Sequence, residues 1–166
     1  MKKMFMMITL MMCIVKVSFG QVKTIHLSKV ELTNLNCDFY EKINLSTSDT
    51  SYVLSLGFQN AQYKYIDDFQ SINFFCSEDL KEFINDVKAI SGEVGNKTNV
   101  AFNKSKYRLS VFDFDDVLIL TNPQKNGYCN ILKKEVDVFS FFLEGVKLPT
   151  KEVALQHIKK TILIGN

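Results

Sequence analysis

Between Ser51 and Asn60 the chain reads SYVLSLGFQN, with Tyr52, Leu54, Leu56 and Phe58 on one side of a period-two repeat and Val53, Ser55 and Gly57 on the other. Successive side chains of a strand point to opposite faces, so this alternation predicts a half-buried strand. Its neighbours are close in sequence. YEKINLS (Tyr40 to Ser46) precedes it across the polar link TSDT, and AQYKYI and SINFFC follow, separated by Asp67 and Asp68. Parallel strands need a crossover of about a dozen residues or more, and links this short exclude one. The pattern therefore predicts an antiparallel meander, to which VKTIHL near the N-terminus adds an edge strand.

A helix interrupts the strands. Leu80, Phe83, Ile84, Val87 and Ile90 recur at helical spacing, with Ser77 as the predicted cap, Glu78 and Asp79 in the first turn and Gly92 at the end. GEVGNKTNV then reads as a loop. It lacks the Gly-Lys pair and glycine spacing of a phosphate-binding loop, and it follows a helix instead of a strand. Strands resume at Tyr107 to Asp113, Val117 to Thr121 and Tyr128 to Leu132, and Asn126-Gly127 marks a tight turn between the last two.

From Val136 to Val146 the apolar residues cover more than half of a helical circumference. That predicts a helix buried on two sides, between the sheet and another helix; an exposed partner-binding face is the alternative reading, and the β-branched and aromatic content also fits a strand. After Pro149, Thr150 begins a last helix bearing Ala154, Leu155, Ile158 and Ile162, with His157 off that stripe. The expected architecture is α+β: an antiparallel meander sheet of about six or seven strands, with about three helices packed mainly on one face.

The N-terminus bears on compartment. Lys2 and Lys3 precede the apolar run Met4 to Val15, and Ser18-Phe19-Gly20 places small residues as a cleavage site requires. Residues 1–20 therefore read as a signal peptide cut between Gly20 and Gln21, leaving residues 21–166 as a single exported α+β domain. The run is shorter than the roughly 20 apolar residues of a spanning helix, so no membrane span is expected. Cleavage removes Lys2, Lys3 and Lys16, leaving seventeen basic against eighteen acidic residues and only one arginine, Arg108. Such a balance without clustered cations gives no basis for a nucleic-acid partner.

Cys37, Cys76 and Cys129 remain after cleavage, an odd number that allows at most one internal disulfide; buried free thiols and a single staple are equally open. Their wide spacing, with no CxxC pair and with His26 and His157 at opposite ends, gives no zinc pattern. Asn44, Asn96 and Asn103 stand in N-x-S/T acceptor sequences for glycosylation.

One stretch suggests chemistry. In SVFDFDDVLIL, an apolar run ends in Asp113-Phe114-Asp115-Asp116-Val117. It resembles the first motif of the haloacid dehalogenase superfamily, an apolar strand followed by D-x-D-x-[TV]. The resemblance implies Asp113 as nucleophile, Asp115 as general acid/base and Mg²⁺ between them, in a parallel helix-flanked sheet. Only 53 residues follow Asp113, and the later carboxylates Glu135, Asp137, Glu144 and Glu152 form no second metal-binding motif. Asp also favours turns through local backbone hydrogen bonds, so the stretch is expected to be the tip of a hairpin between Tyr107–Asp113 and Val117–Thr121.

No catalytic, cofactor-binding or metal-binding residue is assigned from the sequence, and no cofactor is implied. The expected function is that of a non-enzymatic binding or interaction module with a protein partner. Tyr63 and Tyr65 on the outer sheet face are candidate contacts. A Mg²⁺-dependent hydrolase using Asp113 and Asp115, or a structural subunit of a surface assembly, are the alternatives.

Overall fold

The computed structural model describes residues 22–62, 68–113 and 115–156. The proposed signal peptide, Tyr63, Tyr65, most of AQYKYI, His157, Ile158 and Ile162 lie outside these residues. Eight strands and two long helices follow in the order β1 (Val22–Glu31), β2 (Asn36–Asn44), β3 (Thr50–Gln59), β4 (Phe69–Phe74), α1 (Ser77–Ser91), β5 (Val100–Asn103), β6 (Arg108–Val111), β7 (Val117–Asn122), β8 (Gly127–Leu132) and α2 (Lys133–Gly145). Residues 151–156 are also helical. The order is four strands and a helix, twice over.

The class is antiparallel α+β, and every strand pairing is antiparallel. The strands form two four-stranded meanders, β1-β2-β3-β4 and β5-β6-β7-β8, where one sheet of fewer strands was expected. The division falls at α1 and the loop after it, which carry the chain away from β4 before pairing resumes. Periodicity marks each strand but does not say whether meanders on either side of a helix share hydrogen bonds. The additional strand is β5, whose four residues are too few to register as an alternation.

Both sheets and both helices contribute to one apolar cluster. Phe83 of α1 lies at its centre, with ring centroids 4.9 Å from Phe74 of β4, 4.7 Å from Tyr107 before β6 and 6.1 Å from Phe139 of α2. The predicted face of α1 is the one that packs: Leu80, Phe83, Val87 and Ile90 are buried. Its cap differs from expectation. Cys76 occupies the N-cap, and Ser77 lies inside the helix, where its N–H donates to the Pro149 carbonyl and its hydroxyl donates to Glu78. The chain after α2 thus satisfies one of the first-turn N–H groups that have no partner within the helix.

α2 departs from the expected two-sided burial. Val136, Phe139, Phe142 and Leu143 are buried, but Val138 is 51% and Phe141 80% exposed. Among the described residues the helix packs against α1 and against β7 and β8, a helix and the sheet as expected, yet Val138 and Phe141 are left uncovered. Among the described residues no helix is long and apolar enough to cross a membrane.

The sheets meet along the outer edge of β8. There the Ala61 N–H donates to the Tyr128 carbonyl at 2.8 Å, and the Tyr128 N–H donates to Asn60 Oδ1 at 3.2 Å. Asn34 Nδ2 donates to the Asn130 carbonyl at 2.9 Å, and Asn122 Nδ2 donates to the Ser71 carbonyl at 3.2 Å. An unpaired strand edge invites association with other chains; here asparagine side chains complete it. Thr33, in the β1–β2 turn, ties the same region to α2 by donating from its N–H and hydroxyl to Glu135 Oε1.

Candidate functional site

The acidic stretch is a hairpin tip. β6 pairs antiparallel with both β5 and β7, and Leu109 stands opposite Leu120. The chain therefore reverses between Val111 and Val117, as expected for the turn, and Asp113 does not end the parallel strand that the dehalogenase resemblance implies. Asp113, Asp115 and Asp116 are exposed. What the turn does is anchor its surroundings through backbone. The Asp115 carbonyl accepts from the Gly95 N–H and the Asp116 carbonyl from the Lys133 N–H, while the Asp116 side chain lies 3.8 Å from Lys133 Nζ. Gly95 has φ +81°, in the left-handed region that side chains disfavour, which is where glycine is favoured.

The other candidates are also placed. Cys37, Cys76 and Cys129 are free thiols, and all are buried. Burial pushes the Cys37 thiol up to about 12 and raises Cys129 further, the opposite of what a nucleophilic cysteine needs. His26 is exposed on β1, its Nδ1 3.9 Å from Asp38. Among the described residues no three His, Cys, Asp or Glu side chains converge as a metal site. Of the glycosylation asparagines, Asn44 accepts from Ser46 and Thr47 in a turn, Asn96 donates to the Gly92 carbonyl, and Asn103 is exposed at the end of β5.

The concavity with the makings of a site lies where the sheets meet. A cleft of about 530 Å³ is bounded by the β1–β2 turn, the end of β3, the start of β4 and β8. That is within the range of roughly 300–1,000 Å³ usual for small-ligand sites. Register explains its floor. Gly57 pairs with Asn36 on one side and Ser71 on the other, and Gln59 pairs with Phe69. Directly opposed residues share a face, so Asn36, Gly57, Gln59 and Phe69 stand together on the face away from buried Leu56 and Phe58. Tyr128 and Asn130 of β8 form the facing wall.

Two kinds of amide occur here. Asn60 is fully engaged: its Nδ2 donates to Asp68 Oδ2 at 2.9 Å, and its Oδ1 accepts from the Gln62 and Tyr128 N–H groups. Donation from Asn60, then from Gln70, holds the Asp68 carboxyl below the usual carboxylate range. Asn36 and Gln59, by contrast, are exposed with no side-chain hydrogen bond among the described residues, and Asn130 Oδ1 is buried without a partner. Phe69 is 69% exposed beside them. No carboxylate, lysine, arginine or histidine lines the cleft among the described residues.

The sequence reading did not single out these residues. Asparagine and glutamine at strand ends carry no motif. The one available sign was Gly57 inside an otherwise regular strand, because glycine weakens a strand interior and often marks a close approach.

Fold and cleft define the class as an antiparallel α+β protein of two ββββα halves with a neutral cleft at their junction. No protein-family model, curated protein or solved structure matches the chain significantly.

Proposed function

We propose that this is an exported, non-enzymatic binding module that holds an uncharged polar ligand in the cleft between its two sheets. The observation that carries this reading is the lining itself: the exposed amides of Asn36 and Gln59 and an exposed aromatic ring, with no acid, base or cation among the described residues that line the cleft. Amides both donate and accept, so they recognise polar groups without charge, and the ring supplies apolar contact. General acid–base catalysis, by contrast, needs a titratable group within reach of the reacting atoms. Export rests on the N-terminal segment and would place this site outside the cytoplasm.

Thermal melts of the purified protein against uncharged and charged small molecules, saccharides and short peptides test the reading. A ligand that binds the native state raises the melting temperature with its concentration. The expected result is a rise with uncharged polar ligands that Phe69→Ala or Gln59→Ala diminishes. A rise unaffected by either variant would refute the assignment to this cleft. Turnover on a hydrolase panel would replace it with the enzyme reading, and a large species on size-exclusion chromatography would favour the assembly subunit.

A further inference from the structure

Among the described residues nothing gives Gly57 a reason to be glycine. It lies inside β3 with β-ladder partners on both sides and no register shift. Its φ is not positive, in contrast to Gly95. Among the described residues, a Cβ added to it would meet nothing nearer than the Asn36 carbonyl oxygen at 3.9 Å, an ordinary contact. Gly127 differs, since a Cβ there would overlap the Gln70 amide. A glycine in a strand lowers stability through chain entropy, and it often marks a bulge, a bend or the close approach of a ligand or another backbone.

What lies beside Gly57 describes that molecule. On the same sheet face stand the amides of Asn36 and Gln59, without side-chain hydrogen bonds among the described residues, and the exposed ring of Phe69. Extending the ligand-binding reading of the cleft, on which this inference rests, we propose that the ligand is a neutral oligosaccharide. One sugar ring lies over the bare backbone at Gly57 with its C–H face against Phe69. Its hydroxyls bond the exposed amides of Asn36 and Gln59. Hydroxyls donate and accept at once, as amide side chains do, so each pair satisfies both partners without charge. An extended peptide is less well served, because adding a strand requires an unpaired edge and β3 is paired on both sides. Acidic sugars and nucleic acids would need cations, which the lining among the described residues lacks.

The test uses Gly57→Thr. A β-branched residue suits a strand and has room here, so the variant should fold with an unchanged or higher melting temperature while its side chain occupies the ring's place. The purified protein and this variant would be screened on an array of neutral and acidic glycans, and hits measured by calorimetry with the matching soluble oligosaccharides. The expected result is binding of a neutral glycan, lost in Gly57→Thr and weakened about tenfold or more in Phe69→Ala. Phe69→Ala removes an exposed ring, so it keeps the inference open to refutation should Gly57→Thr fail to fold. A glycan that binds both variants as well as the parent occupies another surface and overturns the inference. So does the absence of any neutral glycan hit. If an uncharged peptide or other uncharged ligand binds instead and Gly57→Thr blocks it, the saccharide assignment fails while the cleft reading stands. If no ligand is affected by either variant, both fall.

Discussion

Replacing Asn60 probes how the two sheets are held together. Its Oδ1 accepts from the Tyr128 N–H at the edge of β8 and from the Gln62 N–H, both at 3.2 Å, and the residue is 2% exposed. Asn60→Ala removes the acceptor of both N–H groups. Leaving a buried N–H unpaired costs about 1–3 kcal/mol, and losing a bond that water can replace about 0.5–1.5, so the variant should lose roughly 2–4 kcal/mol. Against a typical total of about 5–15 kcal/mol, that is readily measured by urea denaturation followed by circular dichroism. Asn60→Asp adds a directional check. It keeps the acceptor but sets a carboxylate where Nδ2 now lies, 2.9 Å from Asp68 Oδ2. Like charges so close raise a carboxyl pKa in the folded state, so the folded variant binds more protons than the unfolded chain, and its stability rises as pH falls from 7 toward 5. In the parent the sign is opposite: the Asp68 carboxyl is depressed, chiefly by the Asn60 bond, so its contribution is present above the unfolded pKa and is lost as pH falls through the folded value. A loss below about 1 kcal/mol for Asn60→Ala, or matching pH slopes for Asn60→Asp and the parent, would refute the latch.

Gly127→Ala should cost about 1–3 kcal/mol by displacing the buried Gln70 amide, and Gln70→Ala in the same chain should recover part of that loss in a double-mutant cycle by thermal or urea unfolding. Cys37 and Cys129 should react with a thiol reagent at pH 8 only as fast as the protein opens, since burial raises both thiols; labelling faster than unfolding would contradict their placement. The two faces of α2 should separate in melts: Phe139→Ala should cost about 3–5 kcal/mol and Phe141→Ser within about 0.5. Asp113→Asn and Asp115→Asn should each change stability by less than about 1 kcal/mol, and Mg²⁺ should leave the melting temperature unmoved; a metal-dependent rise abolished by either variant would restore the hydrolase reading.

Local pattern carried much of the fold. The alternation around Leu54 and Leu56, the stripe from Leu80 to Ile90 and the turn at Asn126-Gly127 each depend on neighbours a few residues away, and each is present; Asn126 has φ +53°. Features that depend on distant partners were not legible. Cys76 rather than Ser77 caps α1 because the chain returns at Pro149 to meet the Ser77 N–H. Phe141 is exposed although the sequence of α2 is apolar on both sides, because which apolar positions meet α1, β7 and β8 is set by distant partners. The cleft was hidden for the same reason. Asn36, Gln59, Phe69 and Asn130 come from four strands of two sheets, and only the register across β2, β3 and β4 and the docking of β8 bring them together.

The amides at this junction divide by their partners, and the division separates stability from binding. Asn34, Asn60 and Asn122 each bond a backbone group across the seam, so they substitute for the ladder that β4 and β8 would otherwise present unpaired. Polar residues are needed there, because apolar ones would leave those N–H and C=O groups unsatisfied. Asn36 and Gln59 meet no such need. They are exposed and make no side-chain hydrogen bond among the described residues, and strands disfavour Asn, so neither the ladder nor the core accounts for them. Gly57 between them likewise costs strand stability without relieving any crowding. Three adjacent positions on one sheet face thus hold residues that folding alone does not favour. Departures from local consistency concentrate at functional sites, and here they coincide with the cleft. It follows that Asn36→Thr and Gln59→Thr, like Gly57→Thr, should leave the melting temperature unchanged or raise it while weakening ligand binding, whereas Asn34→Ala and Asn122→Ala should lower it. If Asn36→Thr and Gln59→Thr destabilise as much as the seam variants, the two groups of amides serve one structural purpose and the case for a site built on this face is lost.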